Sequence, residues 1–223
     1  MRPEQRMLRD IEREVEYTRS LIGKKAFDAR VMAALKEVPR HEFVPEDLRG
    51  AAYENGPLPI GHGQTISQPY IVALMTDLLA PEPGDVILEV GTGSGYQAAV
   101  LSRLVRQVYT VEIIEFLAAA ARERLQRLGY GNVEVRAADG YHGWPEHAPF
   151  DGIVVTAAAP AVPEPLVEQL KPGARLVIPV GLPYEYQELM VVEKTADGRI
   201  ETRAVLGVAF VPLTRRRAGR EGH

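Results

Sequence analysis

Three apolar runs in this chain end in a carboxylate: Val86-Ile-Leu-Glu89, Gln107-Val-Tyr-Thr-Val-Glu112 and Val133-Glu-Val-Arg-Ala-Ala-Asp139. The first opens at once into Gly91, Gly93 and Gly95 around Ser94, and Gly140 follows the third. A Cβ at the three alternating glycines would force the turn out of positive φ or hold a ligand away from the backbone, so they mark a tight turn that touches a cofactor. Glu112, one strand further on, is placed to accept both hydroxyls of a ribose. A dinucleotide fingerprint needs glycine at the sixth loop position, and here that residue is Tyr96. Each carboxylate taken alone is an ordinary polar residue where a strand meets water, and the glycines alone are ordinary turn residues. Three in register with a glycine turn point to one ligand site at the edge of a sheet. A further candidate is Ser67, two residues before Pro69 and the helix that follows. It reads either as a helix N-cap or as a hydroxyl that helps unpaired backbone N–H groups hold a carboxylate.

The elements that must position these groups follow from periodicity. Helical spacing runs over 3–20 and 28–37, with Met7, Leu8, Ile11 and Val15 on one face and Val31, Ala34, Leu35 and Val38 on the other. Residues 53–70 are rich in Gly and Pro, and a loop of that length points to function. A helix follows to about Ala80, and Pro81-Glu-Pro-Gly84 breaks the chain before the strand that begins at Val86. Strands are then expected at 107–112, 133–139, 150–156 and 175–180, with helices from Tyr96, up to Gly129 and over 164–170. A terminal antiparallel pair near 188–194 and 201–211 completes the pattern. The order predicts an α/β fold, a doubly wound and mostly parallel Rossmann-like sheet with an antiparallel C-terminal pair and an N-terminal helical extension. Three regions are expected: 1–80 as the helical and substrate-loop extension, 81–214 as the cofactor-binding core, and 215–223 as a flexible basic tail.

At 223 residues and 46% hydrophobic composition the chain buries one substantial core. The 26 basic and 30 acidic residues leave a formal charge of -4, which offers no general attraction to nucleic acid or to an anionic membrane. Cysteine is absent and the five histidines lack ligand spacing, so no metal site is expected. The charged N-terminus lacks the apolar core of a signal peptide, and a cytoplasmic protein is the expectation.

The glycine loop after a strand ending in an acid resembles that of class I S-adenosylmethionine methyltransferases. Further segments sharpen the resemblance: Pro39-Arg-His-Glu-Phe-Val-Pro45, Pro59-Ile-Gly-His-Gly-Gln-Thr-Ile-Ser-Gln-Pro-Tyr70, Val154-Val-Thr-Ala-Ala158, Gln169 to Gly181, and Phe210-Val-Pro-Leu-Thr214. In this order they resemble the protein-L-isoaspartate O-methyltransferases over nearly the whole chain. Ala174 departs from the pattern where glycine is common. The resemblance implies methyl transfer from S-adenosylmethionine, leaving S-adenosylhomocysteine, to the α-carboxyl of L-isoaspartyl residues in damaged proteins and peptides. The ester then closes to a succinimide that reopens in part as aspartate. It implies Ser67 at the active site, an orienting donor and not a nucleophile. Gln64, Thr65, Ile66, Tyr70 and Thr214 would close over a cofactor held by Glu89, Gly91, Gly93, Ser94, Gly95, Glu112, Asp139 and Gly140. His62, Ile66 and Ser67 would meet the substrate, His62 through the peptide backbone or else as an exposed loop histidine. A monomer is the expectation. A methyltransferase of small molecules, a non-catalytic relative and an NAD-dependent oxidoreductase are the other readings, and only the first two share the glycine loop.

Overall fold

The computed structural model describes residues 1–183 and 185–215. Most of the basic tail, from residue 216 on, lies outside the described residues. Helix α1 (Pro3–Ile22) buries Met7, Ile11, Val15 and Ile22, and Gly23 ends it at φ 70, donating its N–H to Arg19 O. Helix α2 (Ala29–Glu37) starts at Asp28, whose carboxylate accepts from the Arg30 N–H at 2.7 Å. Asp77 ties both helices to α3 (Pro69–Leu79), because it pairs with Lys24 and accepts from the Asp28 N–H. Pro69 at the first turn costs α3 no hydrogen bond that would otherwise form.

The Gly- and Pro-rich stretch expected as a loop contains a hairpin. Strands β1 (Leu58–Gly61) and β2 (Gln64–Ile66) pair antiparallel, with Leu58 opposite Ile66. Gly61 and Gly63 flank His62, and all three have positive φ, which a tight hairpin turn requires. Strands this short leave no period for a sequence pattern to show.

The main sheet has the order β5-β4-β3-β6-β7-β8-β9. Its parallel part comprises β3 (Val86–Val90), β4 (Gln107–Glu112), β5 (Val133–Ala137), β6 (Phe150–Val155) and β7 (Leu170–Val180). Strands β8 (Gln187–Lys194) and β9 (Ile200–Val208) add the antiparallel pair. Helices α4 (Tyr96–Ser102), α5 (Glu115–Arg127) and α6 (Glu164–Glu168) make the crossovers. The chain moves outward from β3 through β4 to β5 and then returns to the other side of β3 for β6. That reversal opens a crevice at the C-terminal ends of β3, β4 and β6, where open α/β sheets take their ligands. Several boundaries differ from the sequence reading, among them the end of β9, at Val208 instead of 211. Strand β5 stops at Ala137, and β7 starts at Leu170, where a helix end was expected. Pairing with β6 extends β7, since Phe150 sits opposite Leu170 before the register shifts.

One apolar cluster runs from Met7, Leu35 and Phe43 through Leu74 to Ile87, Val108 and Leu189. The N-terminal helices and one face of the sheet therefore share a core. Beyond β9 the chain turns back over the sheet end. Ala158 N–H donates to Val211 O at 2.8 Å and Leu213 N–H to Ala158 O at 2.7 Å, so residues 211–213 form a strap across the crevice.

Candidate active site

The crevice expected to take the cofactor is built largely around backbone. Gly91 follows β3 at φ 96, and a Cβ there would run into Thr156 Oγ1 at the end of β6. The Thr156 hydroxyl instead donates to Gly91 O at 2.5 Å. Gly93 N–H donates to Glu112 Oε2 at 2.8 Å and Ile114 N–H to Oε1 at 3.0 Å. The Glu112 carboxylate thus pins the glycine loop and still lines the crevice, with lone pairs left for a further donor. Gln64, Thr65, Gly140 and Thr214 line the same crevice.

Glu89 lies beneath the loop, fully buried. Its Oε2 accepts from Thr110 Oγ1 at 2.6 Å, and Thr110 shares a second 2.6 Å bond with Thr92. Oε1 has no hydrogen-bond partner. The carboxyl lines a small inner cavity with Ile66, Ser67, Gly91, Gly93 and Ser94. Burial pushes its pKa up to about 8, against the Thr110 bond and reinforced by the charge of Glu112.

Asp139 accepts from Tyr141 N–H at 3.1 Å and stands 3.7 Å from Arg215 Nε. It is set back from the crevice, whose wall there is Gly140, where a Cβ would meet Val90. The Arg215 guanidinium lies 3.6 Å from the Tyr141 ring centroid, so the strap is fastened across the sheet end. Gly95, expected beside the cofactor, faces α5. A Cβ there would approach the Leu125 side chain at 3.2 Å, so this glycine lets α4 pack on α5, and it lines neither cavity.

The opposite side is an open cleft of about 600 Å³ between α1, the hairpin and the end of β9. Glu14, Thr18, Ser67, Tyr70, Tyr186 and Phe210 are among its walls. Thr65 and Thr156 line this cleft, the cofactor crevice and the inner cavity alike, and Ser67 lines the cleft and the inner cavity. The three residues form a throat between the two sides. Ser67 is not the cap of α3: that position is Gln68, with no side-chain capping bond. Tyr70 also departs from expectation. Its ring is buried, its hydroxyl bonds Thr18 of α1 at 2.7 Å, and it faces the open cleft, away from the cofactor crevice. His62, expected at the peptide, sits at the hairpin tip with its ring 4.9 Å from exposed Phe116 of α5.

Side chains absent from the sequence reading also take part. Thr156 closes the throat, and its place at the end of the strand beside β3 was the available signal. Glu14 Oε2 accepts from Asn55 Nδ2 at 2.6 Å and Gln68 Nε2 at 2.9 Å, holding the segment before α3 onto α1. Arg215 was read as part of a solvated tail. Neither Glu14 nor Arg215 carries a local signal, because both act across the fold.

The chain is also similar to other known proteins. Residues 14–218 match the family model described as protein-L-isoaspartate(D-aspartate) O-methyltransferase. The chain is 65% identical over 214 residues to protein-L-isoaspartate O-methyltransferase 2 of Nitrosococcus oceani, covering 96% of this chain and 97% of that one. It is 64% identical over 211 residues to the protein of the same name from a Polaromonas species, covering 95% and 100%. A solved protein-L-isoaspartate O-methyltransferase superposes with a TM-score of 0.80 at 28% identity, over 94% of this chain and 65% of that one. A second, from Plasmodium falciparum in complex with S-adenosyl-L-homocysteine, gives 0.75 at 26% identity over 93% and 98%.

Proposed function

This chain belongs to the protein-L-isoaspartate(D-aspartate) O-methyltransferase family, and from that premise we infer that Ser67, Thr65 and Thr156 form the throat through which its methyl group passes. The enzyme transfers a methyl group from S-adenosylmethionine to the α-carboxyl of L-isoaspartyl residues in damaged proteins and peptides. The resulting ester closes to a succinimide, which starts the return to aspartate.

The residues present suit that cofactor. Gly91 leaves a space that a Cβ would fill, Glu112 keeps lone pairs toward the crevice, and buried Glu89 Oε1 lacks the donor that an ammonium group would provide. Glu112 would hold the ribose and Gly140 the wall beside the base. Gln64 and Thr214 would cover the cofactor from opposite sides, and Glu89, Ser94 and Ile66 would surround its amino-acid end. When bound, S-adenosylmethionine supplies an electrophilic methyl group on a sulfonium.

A substrate carboxylate with a pKa near ~4 is already ionised at neutral pH, so this chain need supply no general base. Its task is alignment, which contributes up to ~7 to 11 kcal/mol when reacting atoms are held at near-attack distance. Ser67 would donate to one carboxylate oxygen and leave the other free to attack. Thr65 and Thr156 narrow the passage and exclude water, which leaves the carboxylate a better nucleophile. Residues 1–80 would present the polypeptide and 81–214 the cofactor. In this reading the enzyme works as a cytoplasmic monomer, without nucleic acid or membrane.

The observation that carries this reading is that the cofactor crevice and the 600 Å³ cleft share Thr65 and Thr156 in their walls. Its test is transfer of radiolabelled methyl to a pair of peptides that differ only in L-isoaspartate against L-aspartate. Base-labile label is expected on the isoaspartyl peptide alone. A Thr156→Val variant should lower that transfer, and an undiminished rate would remove Thr156 from the throat.

A further inference from the structure

Arg40 lies in the run Pro39-Arg-His-Glu-Phe-Val-Pro45, which neither the cofactor contacts nor the cleft uses. It is the largest of the fully buried side chains, with no exposed surface at all. Its Nε donates to Ala52 O at 2.7 Å, and Nη2 donates to Ser67 O at 2.8 Å and, at 3.5 Å, to Gly56 O. No carboxylate among the described residues bonds it. The guanidinium carbon sits 4.7 Å from the ring centroid of Tyr96, the first residue of α4 after the glycine loop. Burial pushes the Arg40 pKa down, against the nearby Tyr96 and Tyr53 hydroxyls.

A buried guanidinium without an anion is an expensive way to fill a core, and an apolar side chain of similar volume would often serve stability as well or better. What an apolar residue cannot do is gather carbonyls. The planar fork reaches Ala52 and Gly56 near the start of the segment 52–67 and Ser67 at its end from one point, while its face rests on the ring that follows the glycine loop. Ser67 is the last of those three carbonyls and lines the throat.

We propose that Arg40 is a positioning residue for methyl transfer: by holding the Ser67 carbonyl together with those of Ala52 and Gly56 against Tyr96, it sets where the Ser67 hydroxyl stands relative to the glycine loop. The proposal rests on Ser67 as the hydroxyl that orients the substrate carboxylate. Arg40 touches neither substrate nor cofactor, so its effect passes through Ser67.

The experiment is a double-mutant cycle. Turnover of an isoaspartyl peptide and calorimetric affinity for S-adenosylhomocysteine are measured for wild type, Ser67→Ala, Arg40→Met and the double variant, below the melting temperature of each. Displacing a reacting group by about 1 Å costs on the order of 100-fold, so Arg40→Met is expected to lower kcat by about 10- to 100-fold. Affinity for S-adenosylhomocysteine should stay within about threefold, and Arg40→Met should cost nothing further in the Ser67→Ala background. Arg40→Lys, whose point charge cannot span three carbonyls, should show the same dependence on Ser67 and takes the place of Arg40→Met if that variant does not fold. Losses that multiply in the double variant, or a fall in cofactor affinity equal to the fall in kcat, would make Arg40 a structural residue and overturn the proposal. Wild-type turnover by Ser67→Ala would instead remove the premise about Ser67, a failure distinct from that of Arg40.

Discussion

The two sides of the throat are held in opposite ways. On the cofactor side the contacts converge on main-chain groups of the glycine loop and of the turn after β4. Gly91 and Gly93 after β3 and Ile114 after β4 are fixed by the β4 end, by Glu112 and, from the end of β6, by Thr156. On the substrate side, the segment from Ala52 to Tyr70 has only a short hairpin of its own. It is held by side chains from α1 and from the 3-10 turn at Arg40–Phe43: Glu14, Thr18 and Arg40. Such a division suits a methyltransferase acting on proteins. The cofactor never varies and suits a site held by backbone, whereas a cleft walled by side chains suits the varied polypeptide of the proposed substrate side.

This contrast predicts separable failures. The largest belongs to Glu112, which pins two backbone N–H groups and would accept from a ribose. Hydrogen bonds to charged groups are worth ~1.5 to 3 kcal/mol each, so Glu112→Ala should weaken S-adenosylmethionine binding by about 100-fold or more. Calorimetry checks this, and unchanged affinity would remove the ribose assignment.

Glu89 tests the electrostatics beneath the loop. Its raised pKa means that the folded, cofactor-free protein favours the protonated acid. That contribution to stability is present in full below the ordinary carboxyl range and is lost as pH rises through about 8. Wild type should therefore lose several degrees of melting temperature between pH 6 and 9 that Glu89→Gln does not lose, a difference on the order of 5 °C. Thermal unfolding of both proteins across that range decides it, and parallel curves would show that Glu89 does not titrate there.

Glu14→Ala should leave cofactor affinity alone and raise the KM for an isoaspartyl peptide by roughly fivefold. The two bonds it loses are partly exposed, and each is worth ~1 kcal/mol in such settings. Steady-state kinetics with each substrate varied in turn measures the split, and a change confined to the cofactor would break the contrast. The smallest effect is expected for Arg215→Ala. A long ion pair to the half-exposed Arg215 and one cation-π contact together amount to ~1 kcal/mol. Release of S-adenosylhomocysteine should quicken by roughly two- to fivefold in stopped-flow measurements, and an unaltered release rate would leave the strap closed without Arg215.

Local sequence was enough to locate the sheet and the cofactor side. A strand of alternating or continuous apolar residues declares itself within five or six positions. The glycines after β3 and the acids Glu89 and Glu112 at strand ends follow from backbone geometry that any such turn must obey. The family resemblance reached Ser67 in the same way, through a contiguous run.

Three-dimensional packing decided the rest. The hairpin over 58–66 was invisible because strands of three or four residues exist only by pairing with each other. The packing contact at Gly95 was equally hidden, because Leu125, thirty positions away, comes to rest on it. Tyr70 and His62 have neighbours in Thr18 and Phe116, both more than fifty residues distant. Arg40 reaches Ser67, Glu14 reaches Asn55 and Gln68, and Arg215 reaches Asp139, all across separations longer than a local sequence window. A polar side chain is fixed by its partner's position in space, whereas a glycine turn or an apolar strand is fixed by its own chemistry. The glycine loop and the strand-end acids were therefore written locally, and the shape of the cleft proposed for polypeptide came only from the assembled fold.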